Sequence, residues 1–231
     1  MEYQSGGEVM RTPRTSKRSR RPRRGWLVIL VAAIGLAAGG CLPVTVSRVP
    51  TNRPVVFFTI DDGLVRDPAV INFLRAYRIP VTLFVNPGPV GQDPGYFQSL
   101  RSLGNSIQDH TVNHPDLTRL SVDAQKAEIC SALDSYQARF GQRPWMLRPP
   151  YGSYNLGTRI AASTCGIRFV VLWRATMDNG HLATQGEPLQ PGDIILMHFR
   201  SDLLHNLQVI YYTALMSGLQ PAALSDYLPA R

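Results

Sequence analysis

The sequence predicts an α/β protein, a distorted and incomplete (β/α) barrel of about seven parallel strands. Short apolar runs rich in β-branched and aromatic residues alternate with helical patterns across residues 54–231, and strands joined by helices form parallel sheets with right-handed crossovers. Reactive polar residues follow several of these runs, as they do at the carboxyl ends of barrel strands. An open doubly wound sheet is the alternative, but the first strand is followed by Asp61-Asp62-Gly63, not by a glycine-rich dinucleotide loop.

The individual elements follow in order along the chain. Val55–Ile60 is continuously apolar, which is typical of a strand buried on both faces, and Asp67-Pro68 is a helix start. Ser121 is a suitable N-cap for a helix over 122–140. The remaining pattern predicts strands at 80–85, 106–109, 145–147, 169–173 and 193–197, helices at 96–103, 155–165 and 202–216, and a weak final element at 222–228.

The composition is that of an ordinary globular protein, with 44% hydrophobic and 17% charged residues and three cysteines, which excludes disordered, collagenous and disulfide-stapled classes. The net charge of +8 is concentrated at the start of the chain. Residues 1–25 hold eight basic and two acidic side chains, so the rest of the chain is close to neutral. A nucleic-acid partner is therefore not expected.

The basic segment precedes an uncharged apolar run, Trp26–Gly40, which is short for a membrane span and typical of a signal-peptide core. Arg23–Leu27 is similar to a twin-arginine signal, and Cys41 after Ala-Gly-Gly is similar to a lipoprotein cleavage site. We expect residues 1–41 to be an export signal or a lipoprotein or membrane anchor, 42–53 a linker and 54–231 the functional domain. The protein is expected to be extracytoplasmic, secreted or anchored; an uncleaved membrane anchor with an incidental Cys41 is the alternative.

Two further cysteines, Cys130 and Cys165, fall in separate predicted helices. In an exported protein disulfides persist, so the two could pair. The alternative is that both are small buried hydrophobic residues.

Reactive residues stand at the ends of four predicted strands, where they should converge on one barrel mouth. Asp61 and Asp62 should point to opposite faces because strand side chains alternate, so one could bind metal while the other transfers protons. His110 and His114 lie four apart, which in a helical turn places both on one side. With one carboxylate they would supply the three protein ligands of a catalytic divalent metal. Turn, capping and packing roles are the alternatives.

The third and fourth strand ends carry Arg148-Pro149-Pro150-Tyr151-Gly152 and Leu196-Met197-His198. The two prolines hold the backbone at Arg148 extended, and a guanidinium against Asp61 would keep that carboxylate ionised. Gly152 permits an unusual φ. A rigid turn and a buried core histidine are the alternative interpretations.

These four motifs together, in this order from Pro54 to Leu228, resemble the polysaccharide deacetylase family, the NodB-homology domain of carbohydrate esterase family 4. The resemblance implies a metal-dependent deacetylase that uses zinc, or cobalt or another divalent ion. It implies that Asp61 is the catalytic base, and that the metal ligands are Asp62, His110 and His114.

The resemblance assigns the remaining site residues as well. It implies that Arg148 orients the base, that the Tyr151 backbone N–H stabilises the oxyanion, and that His198 is the general acid. Leu196 matches a wall of the acetyl pocket.

The segment from Trp173 to Gly180 departs from the family pattern, because only Asp178 is available as a carboxylate partner for His198. We expect Asp178 to be that partner, with an exposed loop aspartate as the alternative, and Trp173 to contact substrate. The predicted function is removal of N-acetyl groups from an N-acetylglucosamine-type envelope polysaccharide such as peptidoglycan or a chitin-like polymer, by a monomer. The alternatives are an O-acetyl glycan esterase and a non-catalytic glycan-binding protein.

Overall fold

The computed structural model describes residues 41–230, which contain ten strands and six α-helices. The helices are α1 Pro68–Tyr77, α2 Pro87–Gln92, α3 Pro94–Arg101, α4 Val122–Phe140, α5 Leu156–Thr164 and α6 Leu203–Met216. The strands are β1 Val44–Val46, β2 Val55–Asp62, β3 Val81–Val85, β4 Ser106–Asp109, β5 Met146–Leu147, β6 Phe169–Val171, β7 Ala175–Asp178, β8 His181–Thr184, β9 Ile194–His198 and β10 Gln220–Pro221.

The strands form one curled sheet in the order β1-β6-β5-β4-β3-β2-β9-β7-β8, and β10 pairs with the start of β2. All of these pairs are parallel except β7 with β8. Within the described residues the edges β1 and β8 do not pair, so the sheet is a half-barrel. The predicted incomplete parallel barrel is confirmed, with more strands than the seven expected.

Part of the expected linker, residues 42–53, belongs to the sheet. Val44–Val46 pairs in parallel with Phe169–Val171 as an edge strand, and Arg48 forms an ion pair with Asp193 at 2.6 Å. The linker prediction was therefore wrong for these residues. A three-residue run of β-branched side chains is long enough to extend a sheet edge.

The hairpin of β7 and β8 lies between the strands predicted at 169–173 and 193–197, in a stretch where the sequence pattern predicts no element. Its turn is Asn179-Gly180, and both residues have a positive φ, 47° and 75°. Asn-Gly is the sequence most favoured in two-residue hairpin turns, because both positions tolerate the left-handed region.

The two faces of the sheet are buried in different ways. Along β2, Phe57 points into the barrel and Phe58 points toward the helices, as strand alternation requires. The interior is filled by apolar side chains that include Phe84 and Met146, and Leu224 and Leu228 near the end of the chain pack against them. The barrel interior is therefore a packed core, and open space remains at its mouth.

Helices α4 and α5 lie side by side against β5, with Leu117, Ile129, Leu133 and Leu147 in the apolar cluster between them. Ser121 Oγ caps α4 by accepting the Ala124 N–H at 3.2 Å, as predicted. Cys130 of α4 and Cys165 at the end of α5 form a disulfide, so the two cysteines pair, as considered in the sequence analysis.

The predicted export segment, residues 1–40, lies outside the described part of the chain. Cys41 is exposed and its thiol is free. Among the described helices, none has both the length and the apolar character required to cross a membrane.

Candidate active site

The carboxyl ends of β2, β4, β5 and β9 meet around a cleft of about 230 Å³. It is lined by residues from all four predicted strand ends, together with one aromatic and one basic neighbour: Asp61, Asp62, His110, His114, Pro149, Tyr151, Leu196 and His198, with Trp173 and Arg200. The structure therefore brings together the predicted site residues apart from Arg148, which lies directly beneath the cleft, and Asp178.

Asp62, His110 and His114 form a compact cluster of potential metal ligands. Asp62 Oδ1 lies 3.5 Å from His110 Nε2 and 3.6 Å from His114 Nε2, and the three donor atoms lie within 4.8 Å of one another. His110 Nδ1 is 2.7 Å from the carbonyl oxygen of Arg148. A proton on Nδ1 that is donated to this carbonyl leaves the Nε2 lone pair directed into the cluster, as in histidines that bind metal.

Asp62 reaches this cluster because its backbone leaves the extended conformation. Its φ is +76°, so the strand alternation expected to separate Asp61 from Asp62 is interrupted at the last residue of β2. Both carboxylates lie at the mouth, where Asp61 Oδ2 and Asp62 Oδ1 are 3.8 and 3.5 Å from His110 Nε2. The prediction that they point to opposite faces was wrong.

His110 and His114 are joined by a tight loop, not by the helical turn that their spacing suggested. Thr111 and His114 have φ of +65° and +56°, and His114 N–H donates to Thr111 Oγ1 at 3.1 Å. Two other site residues have a left-handed backbone as well, Asp62 with φ of +76° and Tyr151 with φ of +60°. Non-glycine residues in this region are uncommon and cluster at functional sites.

Two buried residues at strand ends, neither predicted as a site residue, hold this loop. Asn86 follows β3 and donates through Nδ2 to the carbonyls of His110 and Thr111, at 2.7 and 2.9 Å. Asp109 ends β4, and its Oδ1 accepts the Thr111 N–H at 2.8 Å. Burial raises the pKa of Asp109 to about 8. Asn86 could have been found by extending the strand-end rule to β3.

Arg148 is completely buried and makes the predicted contact with Asp61. Its Nη1 donates to Asp61 Oδ1 and to Thr59 Oγ1, both at 2.7 Å. Nε and Nη2 donate to the carbonyls of Val171 and Leu172, at 3.2 and 3.3 Å. A buried guanidinium is stable only when its donors are satisfied in this way, and its charge stabilises the carboxylate of Asp61.

The charges within the cluster shift the pKa values of its members. Burial alone raises the pKa of Asp62, but the hydrogen bond and charge of His110 and the other nearby imidazoles outweigh it, so the pKa is lowered. Burial lowers the pKa of His114, and His110 adds to this effect. Burial also opposes charge on His110, yet the adjacent carboxylates and the Arg148 carbonyl raise its pKa overall. The cluster therefore attracts a positive charge, which a divalent cation could supply in place of a proton.

The walls of the cleft come from three further segments. Tyr151 is 68% exposed and its ring lies edge-on to His114, with centroids 4.8 Å apart. Gly152 has the predicted positive φ of 69°, and a Cβ there would lie 3.1 Å from the Trp173 ring. Leu196 and His198 approach from β9, where His198 is in register with Asp61 of β2.

Asp178 does not have the partner predicted for it. Its carboxylate is half exposed and accepts from Arg200 Nη1 at 3.4 Å and Asn179 Nδ2 at 3.2 Å. In residues 41–230, no hydrogen bond reaches a ring nitrogen of His198. The reason is that β7 pairs with β9 only at Ala175 and Thr176, and Asp178 lies beyond this ladder, at the turn into β8.

Comparison with known proteins indicates a single protein family. The chain matches the family model of polysaccharide deacetylase over residues 48–170. It is 41% identical over 197 residues to an uncharacterised protein of Streptomyces coelicolor, covering 82% of this chain and 79% of that protein. A peptidoglycan-N-acetylglucosamine deacetylase of Bacillus cereus is 27% identical over 162 residues, covering 65% of this chain and 75% of that protein.

Similarity to solved structures supports the fold. A CE4 family pseudoenzyme from Bacillus anthracis matches with a TM-score of 0.71 at 18% identity, covering 81% of this chain and 70% of that chain. At this identity the match shows a shared half-barrel architecture.

Proposed function

The chain belongs to the polysaccharide deacetylase family, and from that premise we propose that it is an exported, metal-dependent N-deacetylase of a cell-envelope polysaccharide. The observation that carries this proposal is the Asp62, His110 and His114 cluster beside the Asp61 carboxylate paired with Arg148, in one open cleft. An N-acetylglucosamine-type polymer such as peptidoglycan is the proposed substrate, in keeping with the name of the Bacillus cereus relative.

Asp62, His110 and His114 would hold the metal. Two imidazole nitrogens and one carboxylate are a donor set suited to zinc, with cobalt or another divalent ion as substitutes, and leave room for a further ligand. A divalent ion bound there would supply Lewis acidity for the substrate carbonyl and lower the pKa of a water molecule. The lowered pKa of His114 favours the neutral imidazole that metal binding requires.

Asp61 acts as the general base in this proposal. Its Oδ1 is occupied by Arg148, and its Oδ2 faces the cluster, 3.8 Å from His110 Nε2. Oδ2 is therefore the oxygen that would take a proton from the attacking water. Arg148 fixes the orientation of the carboxylate through its hydrogen bond to Oδ1.

His198 and Tyr151 act on the other side of the acetamide. As the new C–O bond forms, the Tyr151 backbone N–H would stabilise the negative charge on the carbonyl oxygen. His198, on the strand next to Asp61, would donate a proton to the nitrogen as the C–N bond breaks, which releases acetate and a free amine. Leu196 and Trp173 would enclose the acetyl methyl group.

The proposed location is outside the cytoplasm. The basic and then apolar residues 1–40 support export, and the Cys130–Cys165 disulfide fits an oxidising compartment. We propose that the monomer is secreted or held at the membrane by this segment or by a lipid on Cys41.

Acetate release from defined glycans tests the proposal. The zinc-loaded protein should release acetate from chitooligosaccharides or peptidoglycan, and release should stop after chelation and return on addition of zinc. Acetate from acetylated xylan alone would indicate the O-acetyl esterase instead. Glycan binding without acetate release would indicate a non-catalytic protein, a candidate favoured by the absence of a hydrogen bond to His198 within the described residues.

A further inference from the structure

We propose that Glu128 of α4 is a positioning residue for the metal site, because it anchors the loop that carries both histidine ligands. The inference rests on the proposed function, since it concerns the metal cluster assigned there. Glu128 itself does not line the cleft.

Both oxygens of the Glu128 carboxylate are engaged by the loop. Oε2 accepts the backbone N–H groups of Val112 and Asn113, at 3.1 and 2.9 Å. Oε1 accepts Asn113 Nδ2 at 2.7 Å. Three hydrogen bonds thus reach the two residues midway between His110 and His114, and hydrogen bonds to an ionised acceptor are the stronger kind.

The loop needs such an anchor because it is neither helix nor strand. Its conformation depends on left-handed residues at Thr111 and His114, and such conformations persist only when the surroundings determine them. Asn86 satisfies the carbonyl groups of the first two loop residues, His110 and Thr111. Glu128 satisfies the N–H groups of the next two residues, so side chains from outside the loop hold both of its halves.

Helix α4, which carries Glu128, is itself fixed to the core of the protein. Two residues after Glu128, Cys130 is joined to Cys165, and the adjacent Ile129 is completely buried between α4 and α5. The position of the carboxylate is therefore fixed to the core, and the loop is fixed to the carboxylate. Outer residues that orient metal ligands commonly contribute 10–100-fold to metal affinity or activity.

The test compares three variants of the full chain. Glu128→Ala removes the anchor, and Glu128→Gln keeps one acceptor oxygen but replaces the other with a donor. Asp134→Asn is the matched control, because Asp134 is an exposed acid on the same helix that pairs with Arg143. Zinc affinity of each metal-free protein is measured by competition with a chromophoric chelator, and hydrogen exchange is measured at the Val112 and Asn113 amides.

We expect Glu128→Ala to weaken zinc binding by roughly 10–100-fold and to accelerate exchange at both amides, with Glu128→Gln intermediate and Asp134→Asn unchanged. If Glu128→Ala fails to fold, the graded loss in Glu128→Gln carries the test. Wild-type affinity and wild-type exchange in the folded Glu128 variants would overturn the inference while leaving the deacetylase proposal intact. A wild-type protein that binds no zinc would overturn the metal proposal. The anchor would then be tested by hydrogen exchange alone, and wild-type exchange at both amides in Glu128→Ala would refute it.

Discussion

At the scale of single residues, adjacent carboxylates have different surroundings. Asp61 is held by a buried guanidinium, whereas Asp62 faces two imidazole nitrogens. The separation arises from one left-handed backbone angle at Asp62, which turns a strand residue back toward the mouth. Two neighbouring acids in the chain are therefore suited to distinct roles, one toward protons and one toward a cation.

Substitution of the histidines separates metal binding from proton transfer. His198→Ala should keep the metal content of wild type and lower turnover by roughly 10²–10⁴, the usual contribution of a general acid, because His198 is outside the ligand cluster. His114→Ala should lose metal as well as activity. Elemental analysis and acetate release on the same preparations check both expectations.

Loss of metal in His198→Ala would contradict the role given to that residue. Equal metal content in His114→Ala and wild type would contradict the ligand assignment. Asp61→Asn is a further comparison, because a base outside the cluster should behave like His198→Ala.

At the scale of elements, the sequence was most informative where hydrophobic pattern and end signals agreed. Strand 106–109 and helix 122–140 were predicted with the bounds that the structure has, and Ser121 was correctly identified as the start of that helix. The edge strand β1 was missed because three residues carry too little pattern. The Asn179-Gly180 hairpin was missed because its strands lie partly exposed.

The candidate site was predictable as a set of residues but not as a geometry. Strand ends identified Asp61, Asp62, His110 and His114, yet alternation and helical spacing gave wrong accounts of how they meet. The actual arrangement depends on left-handed residues and on Asn86 and Glu128, which are distant in sequence. Such contacts depend on tertiary packing, which a residue pattern does not encode locally.

The disulfide should contribute measurably to stability. It joins residues 35 positions apart, and closing a loop of that length in the unfolded chain is worth about 3–4 kcal/mol. The Cys130→Ser/Cys165→Ser protein should therefore show a free energy of unfolding lower by about that amount in urea. Cys41→Ser is the control, since Cys41 is unpaired, and an equal loss in that variant would contradict the explanation.

At the scale of the whole molecule, the two ends of the strands carry different features. The carboxyl ends of the strands carry the cleft. Cys41 precedes β1, so it lies at the amino-terminal end of a parallel sheet. An anchor at Cys41 would therefore leave the cleft directed away from the point of attachment.

The lipid anchor itself can be tested in cells. If Cys41 is the processed N-terminus, mass spectrometry of the mature protein should find diacylglycerol on it. Cys41→Ser should block cleavage, so that the precursor accumulates. A mature protein that still begins at residue 1 would instead support the uncleaved membrane anchor.

The short distance from Cys41 to the sheet has a consequence for how such an enzyme would work. Only Leu42 and Pro43 separate Cys41 from β1, so a lipidated protein would have almost no tether. Through the register of the strands, Thr45 of β1 is level with Asp62 of β2. The extended chain from Cys41 to Thr45, roughly 13 Å long, would therefore set the height of the mouth above the bilayer. The enzyme would then act only on glycan in a thin layer next to the membrane, and polymer farther from the bilayer would be beyond its reach.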